Sequence, residues 1–333
     1  MEDDAHKFSY AFPKAPQGKS AMNQLPILSV VLCTYNNADS LALTLKQLSL
    51  QELEHFEEVE IIIVDNNSPD HTKSVFAEFA TKCRLENHYL FESQQGLSHA
   101  RNTGVAASQG AYILFTDDDA DIPKHWLSSY LKNIKSNNPD CLYSRINIIW
   151  DKQQPWWFLP EYNPSFVKVD YGNQLLMVDD VHREFYGKNF CIKKSTLLAL
   201  GGFDPALGRN GTKLIAGEET LLYRKMVAQK RHLVYFPDAA VGHRLKDREY
   251  SAENIKKQFI DGAFSAHYIA KTMARKKIAG RPLRAITDSV IALLNSTILC
   301  IHYTIQRRKP ERYFHYLNIL KNINFIKLWI FSK

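Results

Sequence analysis

The sequence predicts an α/β fold with a mostly parallel central sheet, covered by helices on both faces and followed by a helical C-terminal extension. Three runs, LPILSVVLCTYNN, VEIIIVDNNSPD and AYILFTDDDADIP, are continuously apolar and then turn polar or acidic. Strands without apolar/polar alternation are buried on both sides, as in parallel sheets. Helix-periodic stretches alternate with these runs, which is the pattern of strand-helix-strand units. The chain has 333 residues, of which 45% are hydrophobic and 12% aromatic. That is ample for a packed core without a disulfide or metal staple.

Residues 1 to about 25, with Pro13 and Pro16, read as a loose lead-in. The first strand empties into CTYNN. A helix is expected near Ser40 to Leu53, with Leu41, Leu45 and Leu48 on one face and Ser40 as its N-cap. The second strand ends at Asp65, a second helix covers roughly 70 to 84, and HYLFES is a short strand. Leu97 to Ala107 reads as a helix before the third strong strand. Residues 151 to 182, with Trp156, Trp157, Pro160 and Pro164, read as an extended surface segment. FYGKNFCIKKSTLLALGGFDPAL reads as strand, helix and Gly-Gly turn, AGEETLLYRKMVAQK as a helix, and HLVYFPDAAVGHRL as a late strand. From about 251 the chain turns helical and basic. The expected domains are a catalytic domain over 26–250, in halves 26–125 and 126–250, and a C-terminal region over 251–333.

In doubly covered parallel sheets, ligands bind beyond the carboxyl ends of the strands. All three strong strands end in polar or acidic clusters, so these should converge on one crevice. Asp117, Asp118 and Asp119 close the third strand. Two carboxylates about 4 Å apart repel by roughly 4 kcal/mol at an effective dielectric near 20, and a cation removes that repulsion. Mg²⁺ and Mn²⁺ favour oxygen ligands and bind through one or two carboxylates plus phosphates. Asp117 and Asp119 share a face of the strand. A solvated acidic turn is the alternative.

Asp65 reads as an Asx turn or N-cap ahead of NNSPD, with contact to a nucleobase or ribose as the alternative. Arg101 suits either an exposed helix position or phosphate charge. Glu218 and Glu219 open a helix, where the dipole favours acids, and where a general base for a hydroxyl would also sit well. His243 follows a strand and is either structural or a metal ligand. Trp156 and Trp157 serve equally as core anchors or as a platform for an acceptor ring.

The order of these motifs is more specific than any one of them. VVLCTYNN, IIIVDNNSPD, GLSHARNTG, YILFTDDDADIPKHWL, GKNFCIKKSTLLALGGFD and GEETLLYRKM resemble the family 2 glycosyltransferases, over roughly residues 27 to 245. The resemblance implies a GT-A fold, which is a Rossmann-like nucleotide-diphospho-sugar transferase fold. It implies that Thr34, Tyr35 and Asp65 hold the nucleotide and that Arg101 meets donor phosphate, with Asp118 on the donor side. Asp117 and Asp119 match the Asp-x-Asp signature, with Asp119 at a Mg²⁺ or Mn²⁺ ion and His243 as a further ligand. Glu219 matches the catalytic base, although Glu-Glu stands where the family has Glu-Asp, so Glu218 shares the assignment. Gly187 and Asn189 match the acceptor-side Gly-x-Asn. No Gln-x-x-Arg-Trp motif of the processive members is present. The expected activity is metal-dependent, inverting transfer of one sugar from a nucleotide sugar, UDP-linked by family habit, to a glycan or lipid-linked acceptor. A sugar nucleotidyltransferase is the rival enzyme, but CTYNN lacks that group's glycines. An inactive nucleotide-binding scaffold is the rival outside catalysis.

Five cysteines, Cys33, Cys83, Cys141, Cys191 and Cys300, are odd in number and form no Cys-x-x-Cys pair. This argues against a zinc site or disulfide framework and suits a reducing cytoplasm. The acidic start MEDDAHKFSY lacks a secretory pattern. Residues 271–333 carry 13 Lys and Arg against Asp288 and Glu311, a net of +11, which leaves −4 for the rest of a chain of net +7. Nucleic-acid binding is not expected, since no recognised module or stacking aromatics accompany that charge. The stretch 283–306, interrupted by Asp288, Asn295 and His302 and flanked by Arg281, Arg284, Arg307, Arg308 and Lys309, reads as an in-plane helix at an anionic membrane surface. A domain-capping helix pair is the alternative.

Overall fold

The computed structural model describes residues 25–210, 214–274, 277–278 and 281–332. The lead-in expected over residues 1–24 and the side chain of Arg281 lie outside the described residues. The chain divides into two compact units. The first comprises Met1–Asn147, Val169–Ala206 and Glu218–His243; the second comprises Ile148–Lys168, Leu207–Gly217 and Arg244–Lys333.

In the first unit the order is β1 (Leu28–Thr34), α1 (Ala38–Ser49), β2 (Val59–Asp65), α2 (Thr72–Lys82), β3 (Glu86–Phe91), α3 (Leu97–Ala107), β4 (Tyr112–Asp117), β5 (Ala120–Asp121), α4 (Trp126–Asn137), β6 (Cys141–Tyr143), β7 (Ile146–Ile149), β8 (Leu176–Val178), β9 (Phe190–Lys193), α5 (Lys194–Ala199), α6 (Glu218–Ala228), β10 (Leu233–Tyr235) and β11 (Val241–Arg244). An eight-stranded sheet runs β3-β2-β1-β4-β9-β6-β10-β8. The pairs β3/β2, β2/β1, β1/β4 and β6/β10 are parallel, and β9 and β8 run against their neighbours. Every residue of β1 and β2 is buried, as their unbroken apolar character requires. The helix α3 lies close over β1 because Gly104 has no side chain: a Cβ there would come 2.5 Å from Cγ1 of Val31.

Three local expectations are corrected. Ser40 lies inside α1 and is not its N-cap; its hydroxyl donates to the carbonyl of Asp118 instead. The start of α1 is held from a distance, where the Asp70 carboxylate accepts from the Ala38 N–H at 2.9 Å. The single late strand is two, β10 and β11, split over residues 236–240, where Pro237 cannot continue a ladder. The expected surface segment is anchored: Trp157, Tyr162 and Phe166 form the second unit's core with Leu245, Ile255 and Leu317. Their large rings supply apolar area that outweighs the turn character of the intervening prolines.

The second unit continues with α7 (Ala252–Met273), α8 (Leu283–Ile305) and α9 (Lys309–Phe331). The Ser251 hydroxyl caps α7 by accepting from the Glu253 N–H. The α9 helix packs against both α7 and α8. Among the described residues α8 is the one helix long and apolar enough to cross a membrane, by length and composition.

Candidate active site

Parallel pairing sets the level of the strand ends. Thr34 at the end of β1 stands opposite Asp65 of β2, and Cys33 stands opposite Asp117 of β4. The three acidic or polar termini therefore emerge side by side, where open α/β sheets bind ligands. Asp65 forms the Asx turn: one carboxylate oxygen accepts from the Ser68 N–H at 2.9 Å, and the other accepts from the Tyr89 hydroxyl at 2.6 Å. Tyr35, one residue beyond β1, keeps an exposed ring.

The aspartate triplet splits at the turn over 118–119 that joins β4 to β5. Asp118 points inward and accepts from the Thr34 hydroxyl at 2.8 Å and from the Asn37 amide at 2.6 Å. Its carbonyl accepts from Ser40 and Thr44, both at 3.0 Å. Asp117 and Asp119 turn to the other side and share the ammonium of Lys188, which touches Oδ1 of Asp119 and lies 3.3 Å from Oδ2 of Asp117. Lys188 is only 2% exposed. Burial disfavours its charged form, but Asp119 and then Asp117 outweigh burial and raise its pKa above the ordinary lysine value. Asp117 is likewise pushed up by burial, and Lys188 and Arg101 together hold it below the usual carboxylate range. The short strand β5 pairs with β11 so that Ala120 faces His243. This brings His243 Nε2 to 3.9 Å from Oδ2 of Asp119.

The glutamate pair meets the triplet through Arg101. Its Nη1 donates to Glu218 at 2.8 Å and to Glu219 at 2.9 Å, and its Nη2 lies 3.7 Å from Asp117. The guanidinium packs over Phe203, 5.3 Å from the ring centre. Glu218 is buried, and that burial, with the neighbouring charge of Glu219, pushes its carboxyl up to about 8 in spite of Arg101. Oε1 of Glu219 also accepts from the Gly187 N–H at 3.1 Å. A Cβ on Gly187 would sit 1.8 Å from Nη2 of Arg101 and 2.4 Å from Oε1 of Glu219, so a larger residue would have to displace one of these side-chain ends.

Several expectations change on this geometry. Asn189 is not available to an acceptor. Its Oδ1 accepts from Trp126 and Tyr130, and its Nδ2 donates to the carbonyls of Arg145 and Ala239, which uses all the hydrogen-bonding capacity of the amide. Arg101 is buried and committed to carboxylates, so it is no open phosphate clamp. Thr34 and Asp118 are buried and hydrogen-bonded to one another. Within the second unit, Trp157 is a core anchor, while Trp156 is exposed with its ring 5.4 Å from that of Tyr313. The residue the sequence reading passed over is Lys188, between the two residues of Gly-x-Asn. Lysine is almost never fully buried unless paired, and its partners lie some 70 positions away, so no local signal marks it.

For a divalent cation, Asp119 Oδ2 and His243 Nε2 offer a hard oxygen and an imidazole nitrogen on one side of the crevice. Among the described residues no group of three or more His, Cys, Asp and Glu is arranged to hold an ion alone. Of the expected set of Asp117, Asp119 and His243, Asp117 faces Lys188 and Arg101, and Asp119 lies between Lys188 and His243. Two protein donors suit Mg²⁺ or Mn²⁺, which commonly complete their shell with phosphate oxygens and water.

Residues 29–198, just over half of the chain, match glycosyl transferase family 2. The chain is 28% identical over 228 residues to the glucosyl-dolichyl phosphate glucuronosyltransferase of Haloferax volcanii, covering 66% of this chain and 69% of that one. It is 30% identical over 177 residues to the GalNAc(5)-diNAcBac-PP-undecaprenol beta-1,3-glucosyltransferase of Campylobacter jejuni, covering 52% and 53%. The fold is similar to that of the mannosyltransferase PcManGT of Pyrobaculum calidifontis, solved with GDP-Man and Mn²⁺, at a TM-score of 0.56, 16% identity, and 93% and 88% coverage. It is also similar to TarS 1–349 of S. aureus with UDP-GlcNAc, at a TM-score of 0.53, 16% identity, and 89% and 91% coverage. With its parallel β1, β2 and β4 and the acids that end β2 and β4, the chain is a glycosyltransferase of the GT-A fold and belongs to glycosyl transferase family 2.

Proposed function

We propose that this enzyme moves one sugar from a nucleotide-sugar donor to an acceptor hydroxyl by a single inverting displacement, with Glu219 as the base. The observation that carries the reading is Arg101, bonded to Glu218 and Glu219 and adjacent to Asp117, so that the glutamate pair and the first aspartate of the triplet meet at one guanidinium. Of the two glutamates, Glu219 is the better base. Burial and the neighbouring charge of Glu219 push the Glu218 carboxyl up and favour its protonated form, while Glu219 is the more exposed of the two. Arg101 and the Gly187 N–H fix Oε1 of Glu219 and so orient its carboxylate. Glu219 then takes the acceptor hydroxyl proton as that oxygen attacks the anomeric carbon opposite the departing diphosphate.

Asp119 and His243 are the residues we assign to Mg²⁺ or Mn²⁺, with Asp117 supporting from beside them. When bound, such an ion stabilises negative charge on the leaving diphosphate. Manganese in the PcManGT structure supports this assignment. The exposed ring of Tyr35 and the carboxylate of Asp65 are assigned to the nucleoside. The donors in the similar structures, GDP-Man and UDP-GlcNAc, bracket the nucleotide, with a UDP-sugar the first to test.

The names of the two relatives point to acceptors carried on dolichyl phosphate and on undecaprenol, and we extend that class to this chain. Residues 26–250 are read as the catalytic domain and 251–333 as the region that attaches to the cytoplasmic face of the membrane. An apolar row on α8, with Ile291, Leu294, Ile298, Ile301 and Ile305 exposed at helical spacing, supports that attachment. The test is a donor assay with and without Mn²⁺. Release of nucleoside diphosphate on sugar transfer or hydrolysis supports a glycosyltransferase. Pyrophosphate release from a sugar phosphate and a nucleoside triphosphate would instead support the nucleotidyltransferase reading, and no turnover of either kind the scaffold.

A further inference from the structure

A lysine ammonium almost out of contact with water needs a reason, because desolvation penalises it unless its partners are close and well arranged. Lys188 has two such partners, Asp119 and Asp117, and it touches Asp119 at Oδ1. Asp119 is the residue assigned above to the divalent ion. An ammonium in contact with that carboxylate repels an approaching cation and already neutralises part of the charge that attracts one. With Arg101 beside Asp117, the triplet is served by two protein cations.

We propose that Lys188 is a built-in counter-cation that competes with the divalent metal for Asp119, so that metal binds tightly only once the ammonium has left that carboxylate. The inference rests on the reading of Asp119 as the metal's ligand. The backbone around Lys188 is fixed: Gly187 donates to Glu219, and Asn189 spends its amide on four partners. The moving part is the flexible four-carbon stem, which lets the ammonium pivot. A diphosphate in the crevice offers it a new anionic partner, and metal and donor then enter together. Lys188 is thus a positioning residue that couples metal binding to donor binding.

The test is titration of Mn²⁺, with free ion read by its electron paramagnetic resonance, into the full chain and into Lys188→Met, Lys188→Gln and Asp119→Ala, each with and without UDP. Thermal midpoints are read alongside. The expected result without UDP is that Lys188→Met binds Mn²⁺ roughly tenfold or more tighter than the parent, with a larger Mn²⁺-induced rise in midpoint. UDP tightens Mn²⁺ binding more in the parent than in Lys188→Met. Lys188→Gln, which still hydrogen-bonds the acids, repeats the measurement should Lys188→Met not fold. Equal or weaker Mn²⁺ affinity in these variants, with binding lost in Asp119→Ala, overturns the role of Lys188. A gain that survives adding Asp119→Ala to Lys188→Met overturns instead the assignment of the metal to Asp119.

Discussion

Gly187 donates its N–H to Oε1 of Glu219 across 3.1 Å, and the space that makes this contact possible is the space a Cβ would fill. Gly187→Ala must therefore displace Arg101 or Glu219. Turnover is expected to fall by about a hundredfold, as a misplacement near 1 Å can produce. Stability should fall by only about 1–3 kcal/mol, the usual effect of overpacking. Steady-state rates beside a urea unfolding curve check both.

Glu218→Gln should spare turnover and change only how stability depends on pH. Glutamine mimics a protonated glutamate, and Glu218 is mostly protonated at neutral pH. Rates at pH 7 with saturating donor should stay within about tenfold of the parent, well short of the 10²- to 10⁴-fold that loss of a general base produces. The Glu218 pKa rises from 4.5 unfolded to about 8 folded, so between those values the folded chain holds a proton that the unfolded chain has released. Stability drawn from this group is complete below the lower value and is lost as pH climbs to the upper one. The variant should match the parent near pH 4.5 and gain on it by up to a few kcal/mol near pH 8, with no further gain above. Unfolding curves across that range read the difference; a constant offset would contradict the burial of an ionisable group.

Asn189 should behave as a structural hub. Asn189→Ala takes the side-chain partner from the Trp126 N–H and the Ala239 carbonyl, while the Tyr130 hydroxyl keeps the backbone carbonyl of residue 189 and the Arg145 carbonyl keeps the Val241 N–H. At about 1–3 kcal/mol for each buried group left unpaired, a loss of at least about 2 kcal/mol is expected. A denaturant midpoint near the parent's would return Asn189 to the acceptor side.

Much of the first unit can be read from the chain because its signals are local. The apolar runs of β1, β2 and β4 and the polar or acidic residues at their ends are contiguous, and parallel register alone levels them. The acids at the start of α6 are equally plain. What could not be read depends on distant pairs. Lys188 is explained only by Asp117 and Asp119, Asn189 only by helix α4 and two loop carbonyls, and Thr34 only by Asp118. Trp156 and Trp157 are adjacent, yet one is exposed and the other buried, a distinction set by packing with Tyr162 and Phe166.

The apolar row on α8 predicts attachment to lipid. Ile298→Glu with Ile301→Glu should lower the fraction that sediments with anionic vesicles by about tenfold, since a charge must enter the acyl boundary at each site. Equal sedimentation would assign α8 to packing alone.

Glu219→Gln bears on the chemistry itself, because it keeps the size and hydrogen bonding of the side chain beside Arg101 and removes its basicity. Turnover should fall by roughly a thousandfold while donor affinity, read by calorimetry with Mn²⁺, is unchanged. Transfer at the parent's rate would mean that another group takes the acceptor proton.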